Sequence, residues 1–319
     1  MVIAVRGLGS EEFAAARERV ALRLHQHVPP HAGVYGLVAY HLGWRDECGR
    51  ALDGTSGKLL RPMLCLLVAE SFGDAHPAAV DAACAIELLH AFSLVHDDIE
   101  DGDRERRGRP TLWALEGVPL AINAGDSLFA LAHRAMNDAA GALREADAAE
   151  ARRIFSDACL RMIEGQHDDL SMEAQTVASL AEYEAMAVRK TGALLGASLA
   201  IGGLFGGAPP ADVEALRQAG AEMGLAFQAV DDALAIWGDA RATGKPAKND
   251  LERGKKSLPV VIAREVGVSP DDARVRARCD DYARAHADNA RRLIRGTGLS
   301  ASGIARLDTM INFVIERES

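Results

Sequence analysis

The sequence predicts an all-α fold, a single large helical bundle spanning residues 1–319. Three observations predict it. Hydrophobic residues make up 49% of the chain and aromatic ones only 5%, with Ala and Leu dominant, a composition that favours helices over sheets. Apolar positions recur at helical spacing along the chain, with no sustained alternation of period two. No Ser/Pro-rich or low-complexity tract divides it, so one bundle is the economical architecture.

Helices are expected to open at Ser10-Glu11-Glu12, at Pro77 and at Pro110. The run from Ala82 to His96 is apolar and helix-favouring, and it ends in Asp97-Asp98-Ile99-Glu100-Asp101. Gly102, Gly108 and Gly117 punctuate the segment after it, which carries Arg106-Arg107. The apolar stretch Gly192 to Gly207 is Gly/Ala-rich, too short to span a membrane, and reads as a close-packed helix. A second apolar helix, Ala221 to Phe227, closes in Gln228-Ala229-Val230-Asp231-Asp232. From Gly238 to Pro259 the chain carries Gly, Pro and Lys without helical periodicity, which predicts a long surface loop that acts as a lid.

The acidic clusters direct the functional reading. Asp97 and Asp101 are four apart, which puts both carboxylates on one helix face with Cβ atoms roughly 6 Å apart. Negative charge is disfavoured at the C-terminal end of a helix, so cations are expected beside it. Ligands that are all oxygen suit Mg²⁺ rather than zinc. Asp231-Asp232 repeats the arrangement, and basic residues follow each pair: Arg106-Arg107 after the first, Lys245 and Lys255-Lys256 after the second. Acids and bases alternating at one site suit a diphosphate, with divalent cations bridging it to carboxylates and Lys or Arg on its outer oxygens.

Composition excludes other classes. A formal charge of −10 argues against nonspecific nucleic-acid binding. Five scattered cysteines form no Cys-x-x-Cys pair and read as core residues of a reduced, cytoplasmic protein. Met1 to Arg6 does not resemble a signal peptide. There is no Ser/His or Cys/His signature of a side-chain nucleophile.

The ordered motifs resemble those of the trans-polyprenyl diphosphate synthases, the isoprenoid synthase family. Gly57-Lys58-Leu59-Leu60-Arg61-Pro62 resembles the Gly-Lys-Arg-x-Arg-Pro signature, with Leu59 in place of its first Arg. Glu87-Leu88-Leu89-His90 leads into Asp97 to Asp101, which matches Asp-Asp-x-x-Asp, and Arg106-Arg107-Gly108 follows. Gly165-Gln166 with Asp169, Lys190-Thr191-Gly192, and Phe227-Gln228 with Asp231-Asp232 complete the set. The second aspartate motif departs from the pattern: its usual third Asp is Ala235, which puts metal affinity at that face in doubt.

The resemblance implies an all-α bundle with a central active-site cavity, and head-to-tail condensation of isopentenyl diphosphate with an allylic diphosphate. It assigns two or three Mg²⁺, with Mn²⁺ a possible substitute, to Asp97, Asp98, Asp101, Asp231 and Asp232, the burden in the second motif falling on Asp231 with Asp232 in support. Arg106, Lys190, Thr191, Gln228 and Lys245 would surround the allylic diphosphate, and Lys58, Arg61, His90 and Arg107 the isopentenyl one. Lys255 and Lys256 fit phosphate contact or plain solvation of a loop. Gln166 and Asp169 fit support of the site or a structural role, and His96 support of the metal site by hydrogen bonds. His90 in another context would be an ordinary core histidine. Phe92, five before Asp97, resembles a floor that ends elongation early, and Ser93 leaves some room. That implies geranylgeranyl diphosphate, with farnesyl diphosphate next, unless Met63, Phe129 or a partner subunit overrules it. A homodimer is implied by resemblance only.

Two rival classes remain distinguishable. A class I terpene cyclase needs a hydroxyl where Arg253 follows Asn249-Asp250. A regulatory subunit should have lost its first aspartate motif, which is complete here, so Ala235 is the only hint in its favour.

Overall fold

The computed structural model describes residues 11–30, 32–52, 57–238 and 254–316. Its spine is the apolar run that ends in the first acidic cluster. That run forms α4 (Ala79–Glu100), preceded by α1 (Glu11–His27), α2 (Val34–His41) and α3 (Leu60–Ser71). α4 packs against α1, α3 and α6 (Val118–Ala140), with Ala82, Ala83, Cys84, Ala85, Ile86 and Leu88 fully buried. Small residues on α4 let its neighbours approach closely. A buried carboxylate fastens α1: Asp81 accepts from Arg23 Nε at 2.6 Å and pairs with His27 Nε2 at 2.7 Å.

Helix ends follow local chemistry. Pro110 lies in a short strand, and Thr111 precedes α5 (Leu112–Glu116), so that helix opens two residues later than expected. α7 (Glu145–Glu173) leads to α8 (Leu180–Ala187), which Ser179 and Glu182 start with a reciprocal capping box. A π-helical turn, Val188–Gly192, joins α8 to α9 (Ala193–Phe205). α10 (Pro210–Trp237) crosses α9 and the π-turn through paired glycines: a Cβ on Gly220 would stand 2.5 Å from the Gly196 Cα of α9, and one on Gly224 2.3 Å from the Gly192 Cα of the turn. α10 continues beyond Asp232 to Trp237, so the second acidic pair lies inside a helix and does not close it. Carboxylates more than a turn from a helix end escape the dipole penalty.

Among the described residues after α10 there are three helices, α11 (Leu258–Val266), α12 (Ala273–Arg295) and α13 (Ala301–Ile315), with Asp272 and Ser300 capping the last two. Leu258 and Pro259 thus begin a helix instead of ending the expected loop; residues 239–253 of that loop, Lys245 included, lie outside the described residues. A second, smaller apolar cluster joins α8, α10, α11 and α12. Among the described residues α4 alone is long and apolar enough to cross a membrane, and 67% of the qualifying window is buried inside the protein.

Among the described residues there is one two-stranded hairpin, and the sequence pattern gave no sign of it. β1 (Glu105–Arg106) pairs antiparallel with β2 (Arg109–Pro110), Arg106 facing Arg109. Its turn residues, Arg107 at φ 55° and Gly108 at φ 71°, both take the left-handed conformation that a two-residue hairpin turn requires.

Candidate active site

Two groups of polar side chains gather where α4, α7, the π-turn and α10 face one another. The first surrounds the acidic end of α4. Asp101 Oδ2 accepts from Lys255 Nζ at 3.2 Å. Asp97 faces Lys190, whose Nζ donates to Asp169 Oδ2 at 2.5 Å. Burial raises the Asp97 carboxyl to about 6, with Asp101 and Glu100 adding to the rise and Lys190 and Arg106 opposing it. The Lys190 ammonium is held above its usual range: burial works against the charge, but Asp169 and Asp97 outweigh it. Gln166 Nε2 donates to Glu100 Oε2 at 2.8 Å, and Arg189 pairs with Asp168 at 2.6 Å.

Backbone approach sets Lys190 in place. A Cβ on Gly165 would stand 2.1 Å from the Lys190 nitrogen, so only glycine lets α7 lie against the π-turn there. The extra residue of a π-turn reorients side chains locally, a feature common at functional sites. Thr191 Oγ1 donates to Gln228 Oε1 at 2.6 Å, which ties the turn to α10.

The second group lies on α3, mid-α4 and the hairpin. Arg61 Nη1 is 3.2 Å from His90 Nε2, and its guanidinium stacks over Phe227 at 5.7 Å. Lys58 Nζ sits 5.2 Å from the centre of the Phe313 ring of α13. The Arg107 guanidinium lies against Gly57. Glu87 is near Arg61 and Arg107, and burial still pushes its carboxyl upward. His90 is driven well below the usual histidine range by burial and then by Arg61, Arg107 and Arg106, so it is neutral at pH 7. A neutral imidazole among three arginines can give or accept one hydrogen bond without adding charge. Phe227 and Gln228, adjacent on α10, link the two groups.

Two of the five expected metal carboxylates are engaged elsewhere. Asp98 is 2% exposed and accepts from Arg106 Nε at 2.7 Å, so it orients that arginine instead of facing Asp97. Asp232 accepts from Tyr183, Gln228 and the Leu258 backbone, and burial raises it to about 6. His96 is also not where the sequence put it. Its ring packs on Phe92 at 4.7 Å and against Gly125 of α6, with Nε2 3.8 Å from Asp126, so it does not support Asp97 or Asp101. Tyr183, Phe313 and His41 enter the site region without a signal in the sequence; each is a lone residue placed by tertiary packing.

The carboxylates fit a hard cation that arrives with its ligand. Among the described residues no three His, Cys, Asp or Glu side chains form a cage for a metal. Mg²⁺ is usually held by one or two carboxylates plus substrate phosphates, and Asp97 and Asp101, one turn apart at the end of α4, suit that mode. Lys255 pairs with Asp101 at 3.2 Å and Lys190 with Asp169 at 2.5 Å, so cations already stand beside these acids.

Below the acids, Phe92 is 8% exposed and meets Phe129 edge-on at 5.2 Å. Phe129 contacts His133 at 4.4 Å, and His133 contacts Phe155 at 5.2 Å, making one continuous aromatic wall. Ser93 turns its hydroxyl back to the His90 carbonyl at 2.9 Å.

A family model for polyprenyl synthetase matches residues 44–294. The chain belongs to the polyprenyl synthetase family. It is similar to the (2E,6E)-farnesyl diphosphate synthase of Mycobacterium tuberculosis, 43% identical over 256 residues, which cover 80% of this chain and 68% of that one. The geranylgeranyl diphosphate synthase of the same organism is 43% identical over 227 residues, covering 71% of this chain and 64% of that one. The crystal structure of a polyprenyl synthetase from Streptomyces coelicolor A3(2) superposes with a TM-score of 0.85 at 35% identity, covering 94% of this chain and 98% of that one. The chain is therefore a prenyltransferase of isoprenoid biosynthesis, a trans-prenyl diphosphate synthase. Polyprenyl synthetases use isopentenyl diphosphate and an allylic diphosphate, and a divalent metal for ionisation. The two mycobacterial relatives carry different products in their names at equal identity.

Proposed function

We propose that the whole chain acts as one catalytic unit that extends a short allylic diphosphate to geranylgeranyl diphosphate. The observation that carries this reading is the pairing of two cationic groups across Phe227-Gln228, one around Asp97 and Asp101 and one around Arg61 and His90. Two diphosphates need two such groups; a cyclase, with one substrate, needs only the first.

Asp97, Asp101 and Asp231 are the residues to hold two or three Mg²⁺, or Mn²⁺ in its place. The metal supplies Lewis-acid charge to the diphosphate leaving group. Lys190, Gln228, Lys255 and Arg106 hold the same diphosphate, with Lys245 expected to join them. Lys58, Arg61, His90 and Arg107 hold isopentenyl diphosphate so that its double bond faces the allylic C1. The C1–oxygen bond breaks, the double bond attacks C1, and the proton lost from the product passes to the released diphosphate. Fixed charges around that anion act most strongly where water is excluded. Phe92, backed by Phe129, closes the way down for the growing chain, and Ser93 sits beside it.

The protein is expected to work in the cytoplasm as a homodimer, and exposed Val118, Ile122, Leu160 and Ile163 on α6 and α7 offer apolar surface for a partner copy. The test is diphosphate release from geranyl diphosphate with Mg²⁺, with and without isopentenyl diphosphate. Release only when both are present supports the reading; release from the allylic substrate alone identifies a cyclase, and none under either condition a regulatory subunit.

A further inference from the structure

Asp231 and Asp232 are neighbours in one motif but sit in different surroundings. Asp231 is half-buried, while Asp232 is 9% exposed and meets three protein donors. The Tyr183 hydroxyl donates to it at 2.8 Å, Gln228 Nε2 at 2.9 Å and the Leu258 backbone N–H at 2.9 Å. The three come from α8, α10 and the first residue of α11. Each leads to the site. Gln228 accepts from Thr191 of the π-turn, and Leu258 follows Lys255-Lys256-Ser257, whose Lys255 reaches Asp101 at 3.2 Å. Turning this carboxylate to a metal would strand a buried tyrosine hydroxyl and a helix N–H, which is unfavourable.

We propose that Asp232 is not a metal ligand but a positioning residue, which with Tyr183 pins the start of α11 so that Lys255 stands over the first acidic cluster. Tyr183 thereby becomes a determinant of allylic diphosphate binding although it touches no substrate. The proposal rests on the reading above in which Asp231 takes metal and Lys255 takes the allylic diphosphate.

Asn at 232 keeps an acceptor for Tyr183 and Leu258, and the Gln228 amide can reverse to pair with it and with the Thr191 hydroxyl. Mn²⁺ titration with inorganic diphosphate, followed by electron paramagnetic resonance, therefore separates the roles. Asp232→Asn is expected to bind within about twofold of wild type, and Asp231→Asn at least about tenfold more weakly. Tyr183→Phe, a one-atom change that preserves packing, is expected to raise KM for the allylic substrate roughly three- to tenfold, the ratio that one lost hydrogen bond represents. kcat should change less, and the rise should largely vanish when Lys255 is already Ala, as coupled sites require. The proposal is overturned if Asp232→Asn loses Mn²⁺ affinity as Asp231→Asn does, or if Tyr183→Phe and Lys255→Ala act additively. Failure of wild type to bind Mn²⁺ with diphosphate, or to turn over, would instead remove the functional reading beneath it.

Discussion

Asp97 carries the site's electrostatic tension: a half-buried carboxylate raised to about 6 by burial, one turn from Asp101 and facing Lys190. In the proposed reading this carboxylate holds metal for the leaving group. Asp97→Ala is expected to lower kcat about 10²–10³-fold with the fold intact, read from initial rates beside a circular-dichroism melt. Arg61→Ala should act on the other substrate, raising KM for isopentenyl diphosphate about tenfold or more while KM for the allylic substrate holds. Phe92→Ala opens the aromatic wall, and mass spectrometry should find products longer by at least one isoprene unit. Spacing made Asp97, Asp101 and Lys190 legible in the sequence. It did not show what holds Asp98 or Asp232, because neighbours on a helix point about 100° apart and only tertiary contacts decide which partner each one meets. Arg106 claims Asp98 and Tyr183 claims Asp232, and neither pairing is written in a local pattern.

The elements that aim these side chains were less legible than the residues. A π-turn of five residues looks like ordinary helix in composition, and the hairpin at Arg107-Gly108 is too short for a period-two signal. α10 outran its expected end because no glycine or proline follows Asp232 before Gly238. The π-turn also yields a prediction. At Gly165 an added methyl meets Lys190 backbone, which cannot rotate away, so Gly165→Ala should destabilise the fold by about 1–3 kcal/mol, measured by urea denaturation. It should also weaken allylic binding, since Lys190 moves with its backbone.

Across the whole molecule, the packed arginines leave a mark on stability. His41, near Arg106, Arg107 and Arg109, is lowered to about 3 by burial and then by those charges, although it bonds the Ala91 carbonyl. Its folded pKa lies below the unfolded value of about 6.5, so the unfolded chain takes up a proton first as pH falls. Stability is therefore unaffected by this group above pH 6.5 and is lost as pH drops towards 3. One proton contributes about 1.4 kcal/mol per pH unit, so between pH 6.5 and 5 wild type should lose roughly 2 kcal/mol that His41→Asn keeps. Urea midpoints at the two pH values would measure this; equal losses in both proteins would contradict it. Fold class was legible at this scale because Ala/Leu composition and helical periodicity act along the whole chain, while the aromatic wall depends on side chains brought together from α4, α6 and α7.

The central claim is condensation limited by Phe92 to a C20 product. The most direct measurement is mass spectrometry of the products formed with Mg²⁺, isopentenyl diphosphate and, separately, dimethylallyl, geranyl and farnesyl diphosphates, with Asp97→Ala as control. Geranylgeranyl diphosphate from all three starters, lost in the variant, is the predicted result. Longer products would contradict the aromatic floor, and no product from any starter would contradict the catalytic account itself.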